Sequence, residues 1–378
     1  MRLWVLLVVV VSSPAIASSQ NSAVCDRPFV WGVNGHPTQQ AAYSSEESLD
    51  SQLNDLIALG ATHYRVDLTV DTLGLIGSFP SGPGVSFDRV LQAATERGIQ
   101  LLPVLTRRPD YRAPPEANFR VAYLIGRHFA ARHGAHLCQI EAGNETEQDA
   151  LRYTVVVDSL TGVPDTSYWA GTELSHYDPE RLKVVLSFLG GLAQGIRKGA
   201  PHVQVVIDVA GRHYGFFEAL QRAGVEFDIY GLHWYSDMLD GAGGLPAVLD
   251  ALGRLPRPNL PVWITEVNRR HGSQAERPGD DQATWIRRLA GAATASPRVK
   301  AFFIYELLDQ PASASSYGLV TCPAGAAHPT CPAGRELKPA FDIYRGVILD
   351  HQYLAGSRRI PGSLEAEPAS YRLRYGRW

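Results

Sequence analysis

Short β-branched runs alternate along this chain with stretches whose apolar residues recur at helical spacing. Phe29–Val33 is apolar nearly throughout and reads as a first strand. A helix follows from about Ser45 to Leu59, with Leu49, Leu53, Leu56 and Ile57 on one face and Gly60 as its stop. The same rhythm predicts strands at Tyr64–Leu68, Ile99–Leu105 and Leu137–Glu141, and helices at Phe87–Arg97 and about Asn118–His133. In the second half, helices are predicted at Pro179–Lys198, Phe216–Ala223, Leu245–Leu255, Asp281–Ala293 and about Lys338–Val347. Strands at Val203–Asp208, Phe227–Gly231, Val262–Thr265 and Lys300–Tyr305 fall between them.

Strict alternation of apolar strands with helices predicts a (β/α)8 TIM barrel of the α/β class, built as one domain over residues 18–349, rather than an open doubly wound sheet. Two segments exceed the minimal barrel: Gln148–Tyr177 after the fourth strand and Leu308–Glu336 after the eighth. Loops in these places lie on the functional face of a barrel, which makes both candidate walls of a cleft. The polar, Arg-rich tail 350–378 is too short for a further domain.

The N-terminus changes the picture. Arg2, the apolar run Leu3–Val11 and the small-x-small Ala15-Ile16-Ala17 have the form of a signal peptide over 1–17. The run is too short for a stable bilayer anchor, and Val24 before Cys25 is a poor context for lipidation. A secreted protein, extracellular or periplasmic, is expected. Export permits disulfides. Cys322 and Cys331 close a short Pro/Gly/Ala loop and read as a local staple, which leaves Cys25 and Cys138 as the remaining pair. Only 19% of residues are charged, the formal net charge is −3, and no basic block stands out, so no nucleic-acid or membrane partner is expected. No Gly-rich phosphate loop follows an early strand and no CxxC is present, so neither cofactor nor metal is expected.

Functional side chains of a barrel gather at the C-terminal ends of its strands. Those ends offer Arg65 and Asp67, then Glu141-Ala142-Gly143-Asn144-Glu145, His233-Trp234-Tyr235, Thr265-Glu266-Val267-Asn268, and Tyr305-Glu306. Carboxylates, an Arg, an Asn, a His and a Tyr at one mouth form a polar set that a packed core does not accept without purpose.

At these residues the chain resembles the clan A retaining glycoside hydrolases. Ile140–Glu145 is similar to their strand-four motif and Trp263–Glu266 to their nucleophile motif. Gly32–His36, Tyr64–Asp67, His233–Tyr235 and Leu337–Phe341 match in type and place. The nearest flavour is family 39, which includes β-xylosidases, α-L-iduronidases and bacterial exopolysaccharide glycosidases. The resemblance implies a carbohydrate substrate, oligo- or polysaccharide, with Glu145 as acid/base and Glu266 as nucleophile, roughly 5–5.5 Å apart. It also implies that Arg65 and Tyr235 support the nucleophile and Asn144 bonds the sugar 2-hydroxyl. His36 and His233 are then donors around the first ring, and Trp234 and Trp169 platforms for sugar faces. Tyr305 stands where many clan A enzymes carry a Trp.

Glu141 reads better as an internal hydrogen-bonding partner than as a reactant, and Trp169 and Glu306 as non-catalytic. Asn144-Glu145-Thr146 matches a glycosylation sequon, but a glycan there would block the site. Two other classes compete. A catalytically silent carbohydrate-binding barrel has no reason to keep both carboxylates with their Arg and Tyr. A metal-dependent barrel hydrolase needs an early His-x-His, and the first strand has His36 alone.

Overall fold

The computed structural model describes residues 25, 27–77, 85–157, 164–238, 244–274, 279, 281–310, 316–322, 331 and 335–357. The expected signal peptide and most of the tail lie outside these residues. Eight parallel strands close into a barrel: β1 (Val30–Gly35), β2 (His63–Leu68), β3 (Gln100–Leu105), β4 (Gln139–Ala142), β7 (Gln204–Ala210), β8 (Ile229–Tyr235), β9 (Val262–Asn268) and β10 (Val299–Ile304). Around it run α1 (Glu46–Leu59), α2 (Phe87–Glu96), α3 (Pro115–His133), α4 (Pro179–Gly199), α5 (Gly215–Arg222), α6 (Leu245–Leu252), α7 (Gln282–Ala295) and α8 (Pro339–Ser357). The barrel expected from the alternation of elements is therefore present. The helix starts are capped locally: Ser45 accepts from the Ser48 amide, and Asp178, just ahead of Pro179, accepts from the Glu180 and Arg181 amides. Helix α8 runs to Ser357, past residue 350, where the sequence suggested that a tail begins.

Two apolar layers hold the barrel. The larger lies between strands and helices; the smaller joins Val30, Leu102, Val206, Ile229, Trp263, Ala301 and Phe303, inward-facing residues of six strands. The long segment after β4, read from the sequence only as an insertion, contains an antiparallel hairpin, β5 (Tyr153–Val157) with β6 (Pro164–Tyr168). The segment after β10 contains the small pair β11 (Val320–Thr321) and β12 (Glu336–Leu337). Both expected disulfides form. Cys25–Cys138 ties the chain ahead of β1 to the start of β4 across 113 residues, and Cys322–Cys331 closes a local loop. Among the described residues no helix is long and apolar enough to cross a membrane.

Helices α3 and α4 approach closely because α4 presents glycines at positions 191, 195 and 199, four residues apart on one face. A Cβ on Gly195 would lie 2.2 Å from the Tyr123 carbonyl oxygen. Gly291, in mid-α7, has nothing within 4 Å of such an atom. One substitution should therefore act with opposite signs at the two positions. In urea unfolding, Gly195→Ala should cost about 1–3 kcal/mol, whereas Gly291→Ala should gain about 0.5–1 kcal/mol.

Candidate active site

Arg65 projects from β2 into the barrel and is almost wholly buried, at 1% exposure. Its Nε donates to Glu141 Oε2 at 2.6 Å and its Nη2 to Asn144 Oδ1 at 2.7 Å. Its Nη1 donates to Asn34 Oδ1 and to Glu266 Oε1, each at 2.7 Å. Asn34 passes the constraint on, donating to the Thr265 and Ile304 carbonyls at 3.0 and 3.1 Å. One guanidinium thus holds groups from β1, β4, the turn after β4, and β9.

Glu266 owes its place to an irregularity. Side chains alternate faces along a strand, so Trp263, which points inward, would leave Glu266 facing the helices. Strand β9 carries an extra residue here relative to both neighbours. Ile264 pairs with Leu232 and Glu266 with His233 on one side, while Ile264 and Val267 pair with Phe302 and Ile304 on the other. This bulge shifts the alternation and turns the carboxylate inward. Its second oxygen accepts from the Tyr235 hydroxyl at 2.8 Å.

Glu145 follows β4 with φ 46° and ψ 39°, a left-handed conformation that a side-chain-bearing residue adopts at a cost. Asp208 of β7 holds it there, accepting the Glu145 backbone N–H at 2.6 Å. The Glu145 carboxylate meets His233 Nδ1 at 2.8 Å and accepts from the Gln148 amide. Oxygens of Glu145 and Glu266, together with a ring nitrogen of His233, lie within 4.8 Å of one another.

Charge follows from these contacts. Burial opposes a charged His233, but Glu266, Asp208, Glu141 and Glu145 outweigh it and hold its pKa well above the ordinary value. Burial pushes the Glu266 carboxyl above the usual range, although His233 and Arg65 draw it back. Burial also acts on Glu145, yet the hydrogen bond and charge of His233 keep it below. Glu141, paired with Arg65, falls to about 2 despite burial. Asp208 rises, through burial and then the neighbouring Glu141. Glu141, Asp208 and His233 form a second cluster of metal-ligating side chains within 4.8 Å. With Arg65 against Glu141 and Glu266 and a cationic His233 in both clusters, the positive charge that a metal would bring is already supplied by the protein.

On the opposite side of the mouth, His36 lies between Asp67 Oδ2 at 2.9 Å and Glu306 Oε2 at 3.2 Å. Glu306 also accepts from Tyr43 at 2.9 Å and is fully buried, a structural anchor. Tyr305, half-buried, packs edge-on near His36, Tyr235 and Tyr317.

Of the residues singled out from sequence, Glu145, Glu266, Arg65, Asn144, His233 and Tyr235 meet directly, with His36 and Tyr305 beside them. Trp234 does not join them. It is fully buried in the core between barrel and helices, which corrects its expected place as a sugar platform. The expected strand stopped at Gly231, but β8 continues to Tyr235, and alternation that aims His233 and Tyr235 inward sends Trp234 outward. Trp169 is 42% exposed and stands apart from the carboxylates, on the loop after β6. Asn34, Gln148, Asp208 and Tyr317 were missed. Asn34 and Asp208 could have been found by the period of two along β1 and β7; Gln148 and Tyr317 sit in loops that carry no such signal.

No family model and no curated protein matches this sequence. Solved structures do match by fold. A family 1 β-glucosidase from Thermotoga maritima superposes with a TM-score of 0.57 at 13% identity, covering 85% of this chain and 98% of that one. A β-glucosidase from the same organism in complex with deoxynojirimycin gives 0.59 at 12% identity, covering 86% and 98%. An exo-β-1,4-mannosidase from Opitutaceae bacterium strain TAV5 gives 0.55 at 15%, covering 86% of this chain and 60% of its own. At these identities the likeness establishes the TIM-barrel fold. The affinity to family 39 has no support beyond the sequence motifs.

His36 gives a test of the site's electrostatics. Burial opposes its charge, but Asp67 and Glu306 raise its pKa to about 10. A histidine whose folded-state pKa is raised adds stability that is complete below the unfolded value of about 6.5 and lost as pH climbs through the folded one. Denaturation of the wild type should therefore show stability falling between about pH 6.5 and 10, and His36→Gln should flatten the fall in that window.

Proposed function

We propose that this chain is an exported retaining glycoside hydrolase acting on β-linked glycosides or polysaccharides, with Glu266 as nucleophile and Glu145 as general acid/base. The observation that carries the proposal is the pair itself: carboxylate oxygens within 4.8 Å at the ends of β4 and β9. That spacing suits direct attack on the anomeric carbon. An inverting enzyme needs about 6.5–9.5 Å to seat a water. The barrel likeness to β-glucosidases and a β-mannosidase supports the same class, and the two disulfides fit an oxidising compartment.

The steps follow from the contacts. Arg65 and Tyr235 each hold one oxygen of Glu266, leaving it an acceptor-only group facing the sugar. Attack on C1 forms a glycosyl ester while the leaving oxygen takes a proton from Glu145. Water then attacks C1, giving its proton to Glu145 and releasing Glu266. Asn144 spends its carbonyl on Arg65, so its NH2 remains to donate to the 2-hydroxyl.

The resting charges run opposite to these roles, with Glu145 low and Glu266 high. For Glu145 a shared proton resolves this, while the Arg65 guanidinium and the Tyr235 hydroxyl donate to the Glu266 oxygens and favour its ionised form. His233 holds that proton 2.8 Å from Glu145 in the open site. When a sugar expels water, the charged pair loses solvation and the neutral pair is favoured, which places the proton on Glu145. A silent carbohydrate-binding barrel would gain nothing from this arrangement.

Glu266→Gln should abolish hydrolysis of aryl β-glycosides while keeping the wild-type far-UV circular-dichroism spectrum, since Glu141 still pairs with Arg65; near-normal turnover would remove Glu266 from its role. Glu145→Ala should lose most activity on poor leaving groups, and added azide should restore turnover of activated substrates as a β-glycosyl azide detectable by NMR. Proton NMR of the first-formed product from wild-type protein should show a retained β configuration.

A further inference from the structure

A second set of groups lies on the side of the mouth where Glu145 stands. A leaving group protonated by Glu145 lies over the end of β4 and its neighbours β3 and β7. Beyond the ends of β7 and β8 opens a crevice of about 400 Å³, lined by Ala210, Gly211, Arg212, His213, Asp237 and Met238. Arg212 is exposed and has no ion-pair partner among the described residues. Asp237 is neutralised by Arg270 at 2.9 Å. His213 connects the crevice to the acid/base, with Nδ1 2.9 Å from Glu147, two residues beyond Glu145.

The loop after β6 is pinned to the same histidine. A Cβ on Gly171 would lie 2.4 Å from the His213 ring, so only glycine lets the loop pack there. Trp169 stands two residues ahead of that contact. The indole has the Arg152 guanidinium 5.9 Å from its ring centroid and remains 42% exposed. Arg152 donates to the Tyr177 carbonyl and pairs with no carboxylate among the described residues. An indole left partly exposed between Arg152 and the His176 ring, 5.5 Å away, suits the apolar face of a sugar, and guanidinium forks match carboxylates.

We propose that the Arg212–His213 crevice and the Trp169–Arg152 platform form a leaving-group-side subsite for sugar residues that carry carboxylates, so that the chain binds an acidic β-linked polysaccharide. The proposal rests on the glycosidase function for its orientation, but its test does not require turnover.

The experiment is affinity electrophoresis of the full chain at low salt in gels containing β-1,4-mannuronan or 6-carboxylated β-1,4-glucan, each beside its neutral parent, β-1,4-mannan or β-1,4-glucan. Two exposed arginine–carboxylate contacts should tighten the apparent Kd for at least one acidic polymer about tenfold over its parent. Arg152→Ala combined with Arg212→Ala should remove that difference. Arg287→Ala combined with Arg288→Ala, equal in charge and on the outer helix α7, should preserve it. Equal retardation by acidic and neutral polymers, no retardation by any of them, or an unchanged preference in the Arg152/Arg212 variant overturns the proposal. A failure to hydrolyse any aryl glycoside counts against the hydrolase alone and leaves the binding comparison intact.

Discussion

Arg65 sits inside the barrel, where an unpaired charge would cost several kcal/mol of lost solvation. Every group around it answers that cost. Glu141 takes one edge of the guanidinium, Asn34 and Glu266 share Nη1, and Asn144 accepts from Nη2. Since these partners come from β1, β4, the turn beyond β4, and β9, the requirement to satisfy one cation fixes how those strand ends stand to one another. Breaking the set by removing one partner would leave a buried charge without compensation, so its members stand or fall together.

The two central glutamates reach the mouth by different routes, each at a local cost. Glu266 arrives through an extra residue in β9 that gives up regular pairing. Glu145 arrives through a left-handed backbone that Asp208 holds in place. Both departures from regular structure fall at the candidate site and are stabilised by the polar network around it. Behind the site an apolar layer contributed by six strands fills the barrel interior. A stiff scaffold of this kind can hold strained groups in one geometry, which suits a site whose proposed chemistry depends on two oxygens within 4.8 Å.

The positive charge is also confined. Arg65 and His233 face Glu141, Glu145, Glu266 and Asp208, with Asp208 driven toward its neutral form by burial and by Glu141. In the proposed mechanism one proton passes from His233 to Glu145 and converts the resting arrangement into the one that acid catalysis needs. Solvent exclusion rather than a fixed pKa sets the direction of that transfer.

Much of this was legible in the chain. Helical and strand periodicity specified the eight strands and eight helices, because both report a local geometry that each segment repeats by itself. Motif context nominated Glu145, Glu266, Arg65, Asn144, His233 and Tyr235, because strand ends in a barrel share one mouth. Trp234 was misplaced because β8 runs on past Gly231 to Tyr235, and strand parity then turns the indole outward. The hairpin β5–β6 was hidden inside a segment read as an insertion, because Pro164–Tyr168, the partner of the β-branched Tyr153–Val157, is mostly polar and opens with a proline. Sequence alone thus determined which elements form and which residue types meet at their ends. Only the tertiary structure decided which way each side chain faces, because a single inserted residue in β9 reverses the alternation, and no local pattern records an insertion that is defined by the neighbouring strands.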